Sequence, residues 1–165
     1  MLSEPTIVDI ESQPYAAIRR SVSMKSIGQE LPPLAGDVFG WLGARGIAPA
    51  GAPFWKYDVI DMSHQLVVEV GVPVDAVVEG DDRVLGGVLP GGRYVTATFV
   101  GHPDGLEGAT GMLLAWAAAA GLTWDVKKTA DGEEWGSRLE FYESDPATEP
   151  DMTTWRTRLA FRLAD

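Results

Sequence analysis

The pattern of apolar and polar positions predicts four elements in the first half of the chain. Residues 6–20 are predicted to form a strand, and a helix is predicted to begin at Pro32 and to end before Gly46. Two further strands are predicted at 54–60 and 65–74, joined by a short polar turn. The apolar residues that recur at helical spacing in this half are Leu34, Val38, Trp41 and Leu42.

The second half repeats this order of elements. A strand at 93–100 precedes an apolar helix at 105–121, and strands at 137–143 and 154–163 follow. The halves therefore share the order strand, helix, strand, strand.

Local sequence matches support a duplication. Trp41 precedes Gly46 by five residues, and Trp116 precedes Gly121 by the same interval. Because these matches occur within the same order of elements, the chain is predicted to contain one β-α-β-β unit twice. Two longer stretches also align without a gap: DMSHQLVVEVGVPV at 61–74 and DMTTWRTRLAFRLA at 151–164.

The predicted architecture is a single α+β domain over residues 1–165, with pseudo-repeats at about 6–74 and 83–164. Two β-α-β-β units join most simply into one curved antiparallel sheet with both helices on one face. The opposite face is then predicted to curve around a central ligand groove near the pseudo-twofold axis, because ligand sites often lie at such internal interfaces.

Two stretches stand outside the repeated order. The acidic, turn-rich stretch 75–87 connects the halves, with a short strand predicted around 83–88. The charged stretch 123–136 is predicted to be a hairpin or loop without a counterpart in the first half.

Composition and charge narrow the choice of partners. The 165 residues include 13 Lys and Arg against 24 Asp and Glu, a formal charge of −11, which disfavours direct binding to a nucleic acid. There are no cysteines, so disulfides, thiolate catalysis and cysteine metal sites are excluded. His64 and His102 lack a metal-ligand cluster, and no phosphate-loop or nucleophile-elbow motif is present. No metal and no cofactor are therefore expected.

The N-terminus lacks the basic start and apolar run of a signal peptide. The longest apolar stretch, residues 111–124, is too short to span a bilayer. These features predict a cytoplasmic protein without a membrane partner.

The stretch LEFYESDP at 139–146 places a carboxylate inside an apolar strand. Side chains alternate along a strand, so Glu140 and Tyr142 share one face, while Leu139 and Phe141 share the other. We predict that Leu139 and Phe141 face the helices and that Glu140 faces the groove. Burial of an ionised carboxylate without a partner is unfavourable, which indicates that Glu140 is kept for a ligand.

The residues around Glu140 permit two interpretations. In the first, Glu140 stands among aromatic rings, a site that suits a flat, lipophilic, positively charged molecule. In the second, Glu140 forms an ordinary cross-strand ion pair with Arg156 or Arg158, and the rings only pack the sheet. The residues alone leave both interpretations open.

LEFYESDP resembles the Glu-x-Tyr-x-x-Asp-Pro signature of GyrI-like (gyrase-inhibitor-like) small-molecule-binding domains, the effector-binding modules also seen in multidrug-sensing and AraC-type transcription regulators. Other stretches agree with this family in order along nearly the whole chain: PYAAIRR, VEVGVPV, LPGGRYVTATFVGHPDGL and DMTTWRTRLAF. The chain departs from the family at its end, FRLAD, where many members carry a proline. Because the domain begins near residue 6 without a helix-turn-helix before it, a stand-alone member is expected.

The resemblance implies a duplicated β-α-β-β (SHS2-like) fold in which Glu140 is a buried acid that meets cationic drugs. It implies a polyspecific binding protein for lipophilic, often cationic aromatic molecules such as drugs, dyes and antibiotics, with a role in bacterial resistance. Aromatic residues on neighbouring strands would stack on the ligand; by position the candidates are Tyr57, Tyr142, Trp155, Trp55 and Phe99.

The resemblance also implies an alternative. Some stand-alone members resemble hydrolases that open the cyclopropane of DNA-alkylating antibiotics. Glu140 would then act as a general acid/base, with Tyr57 or Tyr142 as proton donor and Glu69 as a candidate second acid. A protein partner, such as a regulator or a DNA topoisomerase, is a weaker alternative that rests on family analogy alone.

Overall fold

The computed structural model describes residues 1–61 and 63–165. Within these residues, ten strands form one curved antiparallel sheet, accompanied by three helices and two 3-10 turns. The strands are β1 (Thr6–Ile10), β2 (Gln13–Val22), β3 (Phe54–Ile60), β4 (Leu66–Pro73), β5 (Leu85–Leu89), β6 (Gly92–Val100), β7 (Val126–Thr129), β8 (Gly132–Trp135), β9 (Arg138–Tyr142) and β10 (Arg156–Arg162). The helices are α1 (Ile27–Glu30), α2 (Pro32–Ala44) and α3 (Leu106–Ala119), and the 3-10 turns are Pro103–Gly105 and Met152–Thr154.

The sheet is arranged symmetrically about its middle. The first half contributes the strand order β2-β4-β3, the second half contributes β6-β10-β9, and β3 pairs with β9 at the centre. Apart from β1, β5, the short helix α1 and the hairpin of β7 and β8, both halves run strand, helix, strand, strand in chain order: β2-α2-β3-β4 and β6-α3-β9-β10. The predicted α+β fold, a curved antiparallel sheet built from two such units, is confirmed.

The predicted single strand over 6–20 is wrong, because the chain leaves one strand pair and enters another at residues 11 and 12. β1 pairs with β6 of the second half, whereas β2 pairs with β4 and β5. The predicted short strand around 83–88 is present as β5, and it pairs with β2 of the first half. The first strand of each half, β1 or β5, thus pairs with a strand of the other half, and these pairings connect the two halves.

The two long helices end in the same way. Gly46 and Gly121 both adopt a positive φ, of 68° and 71°. Beyond each glycine a backbone N–H reaches back to the helix, from Ile47 to the Leu42 carbonyl and from Leu122 to the Ala117 carbonyl. A left-handed residue at this position favours glycine, which explains why a glycine follows the helix in both halves.

The two faces of the sheet bury separate hydrophobic cores. The core on the helix face contains Leu34, Val38 and Leu42 of α2, Leu113 of α3, and sheet residues such as Leu159. The other core contains no helix residue among its buried members, which are Tyr15, Ala17, Phe54, Leu89, Tyr94, Leu139, Phe141 and Ala160.

The predicted orientation of β9 is therefore wrong. Leu139 and Phe141 face away from the helices, and Glu140 lies on the helix face. The physical reason is the curl of the sheet: Leu89 of β5 and Tyr94 of β6, from distant positions in the strand order, meet in one core. A sheet that closes on itself can bury one face without a helix.

The charged stretch 123–136 forms the hairpin of β7 and β8, and β8 extends the edge of β3 beyond the end of β9. Among the described residues, no helix combines the length and apolar character that a bilayer crossing requires.

Candidate functional site

A cavity of about 1370 Å³ lies on the helix face of the sheet, over the junction of β3 and β9. This volume exceeds the usual range of small-molecule sites, so a large aromatic molecule has room here. The strands contribute Trp55, Tyr57, Arg138, Glu140 and Tyr142 to its lining. The helices contribute Ile27, Pro32, Phe39, Leu106 and Glu107, among others.

Strand pairing sets the side chains of the two halves beside one another. Trp55 lies opposite Glu140 in the register of β3 and β9, so both point into the cavity. Tyr57 follows Trp55 on the same face. The register of β3 and β4 then shifts between Tyr57 and Val59, and Ile60 lines the cavity as well.

Glu140 is held by two phenols. Its side chain is 6 % exposed, and Oε1 accepts hydrogen bonds from the hydroxyls of Tyr57 at 2.7 Å and Tyr142 at 2.8 Å. Within residues 1–61 and 63–165, Oε2 accepts no hydrogen bond and no basic side chain forms an ion pair with the carboxylate. The carboxylate therefore keeps an unused acceptor in the cavity.

The predicted alternative of an ion pair with Arg156 or Arg158 is not realised. Arg158 lies 3.5 Å from Glu143 and stacks its guanidinium 4.1 Å from the ring centre of Phe141, on the other face of the sheet. Arg156 is exposed at the cavity rim.

Burial controls the ionisation of this cluster. Burial raises the pKa of Glu140, while the hydrogen bonds from Tyr57 and Tyr142 and the positive charge of Arg138 oppose that rise. Burial and the neighbouring Glu140 also raise the pKa of both tyrosines well above their ordinary value. The phenols therefore remain protonated donors at neutral pH.

Two tryptophans extend the aromatic lining. Trp55 meets Tyr142 edge to face, with ring centres 5.2 Å apart. Trp155 also lines the cavity, and its indole N–H donates to the Glu149 carbonyl at 2.6 Å. Such contacts fix the orientation of the rings that line the cavity.

Two predicted residues lie elsewhere. Phe99 does not line the cavity; its ring packs against Gly101 and Gly105 in the turn before α3. Glu69 lies on the opposite face of the sheet, opposite Lys56 in the strand register, and its carboxylate binds Lys56 at 3.1 Å and Tyr15 at 2.5 Å. The structure thus gives Glu69 no contact with Glu140.

Several residues that line the cavity were not predicted from the sequence. Arg138 was within reach of the same reasoning, because it stands two residues before Glu140 and shares its face by strand alternation. Phe39, Leu106 and Glu107 carry no local signal, since only the packing of the helices brings them to the cavity.

A curved sheet of two β-α-β-β halves, with a carboxylate-bearing aromatic cavity at their junction, is typical of a small-molecule-binding domain. The chain belongs to the GyrI-like family: the family model of the GyrI-like small molecule binding domain matches residues 3–164. The predicted family resemblance is confirmed.

Solved structures share this fold at low sequence identity. The C-terminal domain of EcmrR superposes with a TM-score of 0.75 at 19 % identity, covering 98 % of this chain and 98 % of that domain. EcmrR in a complex with DNA superposes with the same TM-score of 0.75 at 20 % identity. The match covers 98 % of this chain and 57 % of EcmrR, so this chain spans little more than half of that protein.

Two further structures extend the comparison. SAV2435 bound to tetraphenylphosphonium superposes with a TM-score of 0.61 at 10 % identity, covering 98 % of this chain and 94 % of that one. A hydrolase from Listeria innocua superposes with a TM-score of 0.66 at 13 % identity, covering 98 % and 92 %. A search of curated proteins found no match. At these identities the structures show a common fold.

Proposed function

We propose that this chain binds lipophilic, cationic aromatic molecules of varied shape in the cavity around Glu140. The observation that carries the proposal is the state of that carboxylate: 6 % exposed, hydrogen-bonded only by neutral phenols, and without a basic partner among the described residues. A buried charge of this kind gains most from a guest that supplies the opposite charge.

The aromatic lining supports the same class of ligand. Trp55, Tyr57, Tyr142 and Trp155 surround the carboxylate, and a cation over an aromatic face gains about 0.5–2 kcal/mol. Stacking and charge attraction depend little on the outline of the guest. Broad specificity follows from this chemistry, and SAV2435, which shares the fold, has been solved with the aromatic cation tetraphenylphosphonium.

Binding of this kind would serve sequestration or sensing of toxic aromatic cations in the cytoplasm, and hence resistance. EcmrR, which shares the fold, forms a complex with DNA, and this chain spans 57 % of it. The proposal therefore includes a regulatory protein as a partner of this chain.

The test is calorimetric titration with tetraphenylphosphonium. Glu140→Gln keeps the size of the side chain and removes its charge, so we expect a loss of about 2–5 kcal/mol in binding, an affinity at least about thirtyfold weaker. Glu79→Gln removes the same charge at an exposed position and is expected to leave the affinity unchanged. Equal affinity in the wild type and Glu140→Gln would contradict the proposal.

One arrangement favours hydrolysis as a second candidate function. Two protonated phenols meet one carboxylate of raised pKa, which pairs proton donors with a base, and the fold is shared with the hydrolase from Listeria innocua. Glu69 cannot be the second acid from its place on the other face, so that role would fall to a cavity residue such as Glu107.

Turnover separates the two candidates. In hydrolysis, Glu140 takes a proton from water, whose oxygen bonds to an electrophilic cyclopropane carbon. The ring carbon–carbon bond breaks, its electron pair passes to a conjugated carbonyl oxygen, and Tyr57 or Tyr142 donates a proton to that oxygen. Mass spectrometry after incubation with a cyclopropane-bearing alkylator detects the ring-opened product. Protection of the alkylator in proportion to the protein, without product, supports binding alone.

A further inference from the structure

Beside Glu140 the cavity lining carries a basic side chain, that of Arg138, and the attraction of a simple cation gives this residue no role. Arg138 begins β9 and lines the same cavity as Glu140. The two residues stand two positions apart on one strand face, so their Cα atoms are about 6–7 Å apart. A purely cationic guest would be repelled by this guanidinium.

Within the described parts of the chain, Arg138 forms no ion pair or hydrogen bond with any of the 24 Asp and Glu, although the charge of nearby Glu140 acts on it. Its Nε is buried and makes no hydrogen bond there. Other arginines do find carboxylates: Arg162 binds Asp125 at 2.9 Å and Arg83 binds Asp37 at 2.8 Å. A partly buried guanidinium without an acceptor is unusual, because its donors lose water without replacement.

Aromatic rings hold Arg138 in place instead. Its Cζ lies 4.7 Å from the ring centre of Trp135, 4.7 Å from that of Phe161 and 5.8 Å from that of Tyr57. These contacts fix the guanidinium plane without using its hydrogen-bond donors. The donors of Arg138 and the free oxygen of Glu140 are thus presented separately on one wall of the cavity.

We propose that the cavity selects amphoteric aromatic ligands, in which a carboxylate or similar anionic group accompanies the cationic ring system. Arg138 binds the anionic group through its planar fork, and Glu140 faces the cationic ring system among the tryptophans and tyrosines. The inference rests on the proposed function and narrows its ligand class.

A matched pair of dyes tests the assignment. Rhodamine B carries a cationic xanthene ring and a free carboxylate, and its ethyl ester has the same ring with the carboxylate blocked. The carboxylate of rhodamine B can form a hydrogen-bonded ion pair with Arg138, whereas the ester leaves the guanidinium without an acceptor. We therefore expect the wild-type protein to bind rhodamine B about tenfold or more tightly than the ester, measured by fluorescence anisotropy.

Variants assign that preference to one residue. Arg138→Met keeps an unbranched side chain against Trp135 and Phe161. We expect this variant to lose the preference, because its affinity for rhodamine B falls while its affinity for the ester stays the same or rises. Arg138→Lys keeps the charge and is expected to retain part of the preference for rhodamine B. This variant still tests the role of Arg138 if Arg138→Met does not fold. Arg20→Gln removes one exposed positive charge and is the control.

The outcomes separate this inference from the proposed function. Equal binding of both dyes, or equal losses for both in Arg138→Met, overturns the role of Arg138. If the ester still binds and depends on Glu140, the proposed function stands without it. If the wild type binds neither dye, both proposals are overturned.

Discussion

Two buried glutamates on opposite faces of one sheet have opposite surroundings. Glu69 on β4 and Glu140 on β9 are each 6 % exposed. Glu69 binds the ammonium of Lys56 at 3.1 Å and the hydroxyl of Tyr15 at 2.5 Å, and Lys56 also pairs with Asp58. Within the described residues, Glu140 accepts hydrogen bonds only from the hydroxyls of Tyr57 and Tyr142, and it borders a large cavity.

Ionisation follows these surroundings. Burial alone would raise the pKa of Glu69, but the hydrogen bond shared with Asp58 and the charge of Lys56 lower it. Burial and that neighbouring glutamate raise the pKa of Asp58 to about 7. The pKa of Glu140 is instead raised by burial. The comparison teaches that two equally buried acids can differ in what the fold provides: Glu69 has an ion-pair partner, and Glu140 has none within the described residues.

The largest expected effect is on stability, from removal of the cation on the packed face. Lys56→Met leaves Asp58 and Glu69 buried beside one another, so we expect the free energy of unfolding to fall by about 3–5 kcal/mol. Denaturant titration measures the change, and the folded variant should bind tetraphenylphosphonium as the wild type does. Lys127→Met, at an exposed hairpin position, is the control. A loss below about 1 kcal/mol would show that the cluster is not a structural charge network.

Two glycines test the difference in packing between the faces. A Cβ added at Gly71 would lie 2.6 Å from the Phe54 ring, which is fully buried, so Gly71→Ala should destabilise the protein by about 1–3 kcal/mol. A Cβ at Gly36, in the α2 wall of the cavity, would meet nothing within 4 Å. Gly36→Ala should therefore stabilise the helix by about 0.4–1 kcal/mol. Thermal unfolding of both variants measures the contrast, and equal destabilisation would contradict it.

The smallest expected effect is the pH dependence of cation binding. Because the pKa of Glu140 is raised, affinity for tetraphenylphosphonium should fall as pH drops through that value, by at most about tenfold per pH unit. Tyr57 and Tyr142 stay protonated over the same range, because the pKa of each is raised well above its ordinary value. The guanidinium of an arginine such as Arg138 stays charged in proteins. Titrations between about pH 5 and pH 8 measure the slope, and Glu140→Gln should show none. If the affinity of Glu140→Gln still depends on pH, the pH dependence arises from another group.

The two glutamates also contribute to stability with opposite signs of pH dependence. Glu140, with a raised pKa, contributes fully below its unfolded pKa, and that contribution is lost as pH rises through the folded value. Glu69, with a lowered pKa, contributes above its unfolded pKa, and that contribution is lost as pH falls through the folded value.

Strand alternation made much of the site accessible from the sequence. Period-2 parity placed Glu140 with Tyr142 on one face, and the same rule puts Trp55 with Tyr57 on one face of their strand. The structure brings all four side chains to the cavity. The same parity would have found Arg138. It could not show which face the helices cover, so the predicted orientation of Leu139 and Phe141 was wrong. Glu69 shows the same limit, because parity alone could not show whether this acid faces the cavity or pairs with Lys56 on the opposite face of the sheet.

The sequence by itself determined the order of elements, the recurrence of that order, the helix ends at Gly46 and Gly121, and the carboxylate inside an apolar strand. These features depend on local backbone preference and on periodicity, which neighbouring residues decide. Only the tertiary structure decided that the sheet curls to bury one face without a helix, that Lys56 satisfies Glu69, and that nothing basic satisfies Glu140 within the described chain. Those outcomes depend on distant strands meeting in three dimensions, where charge and packing are set by contacts rather than by sequence neighbours.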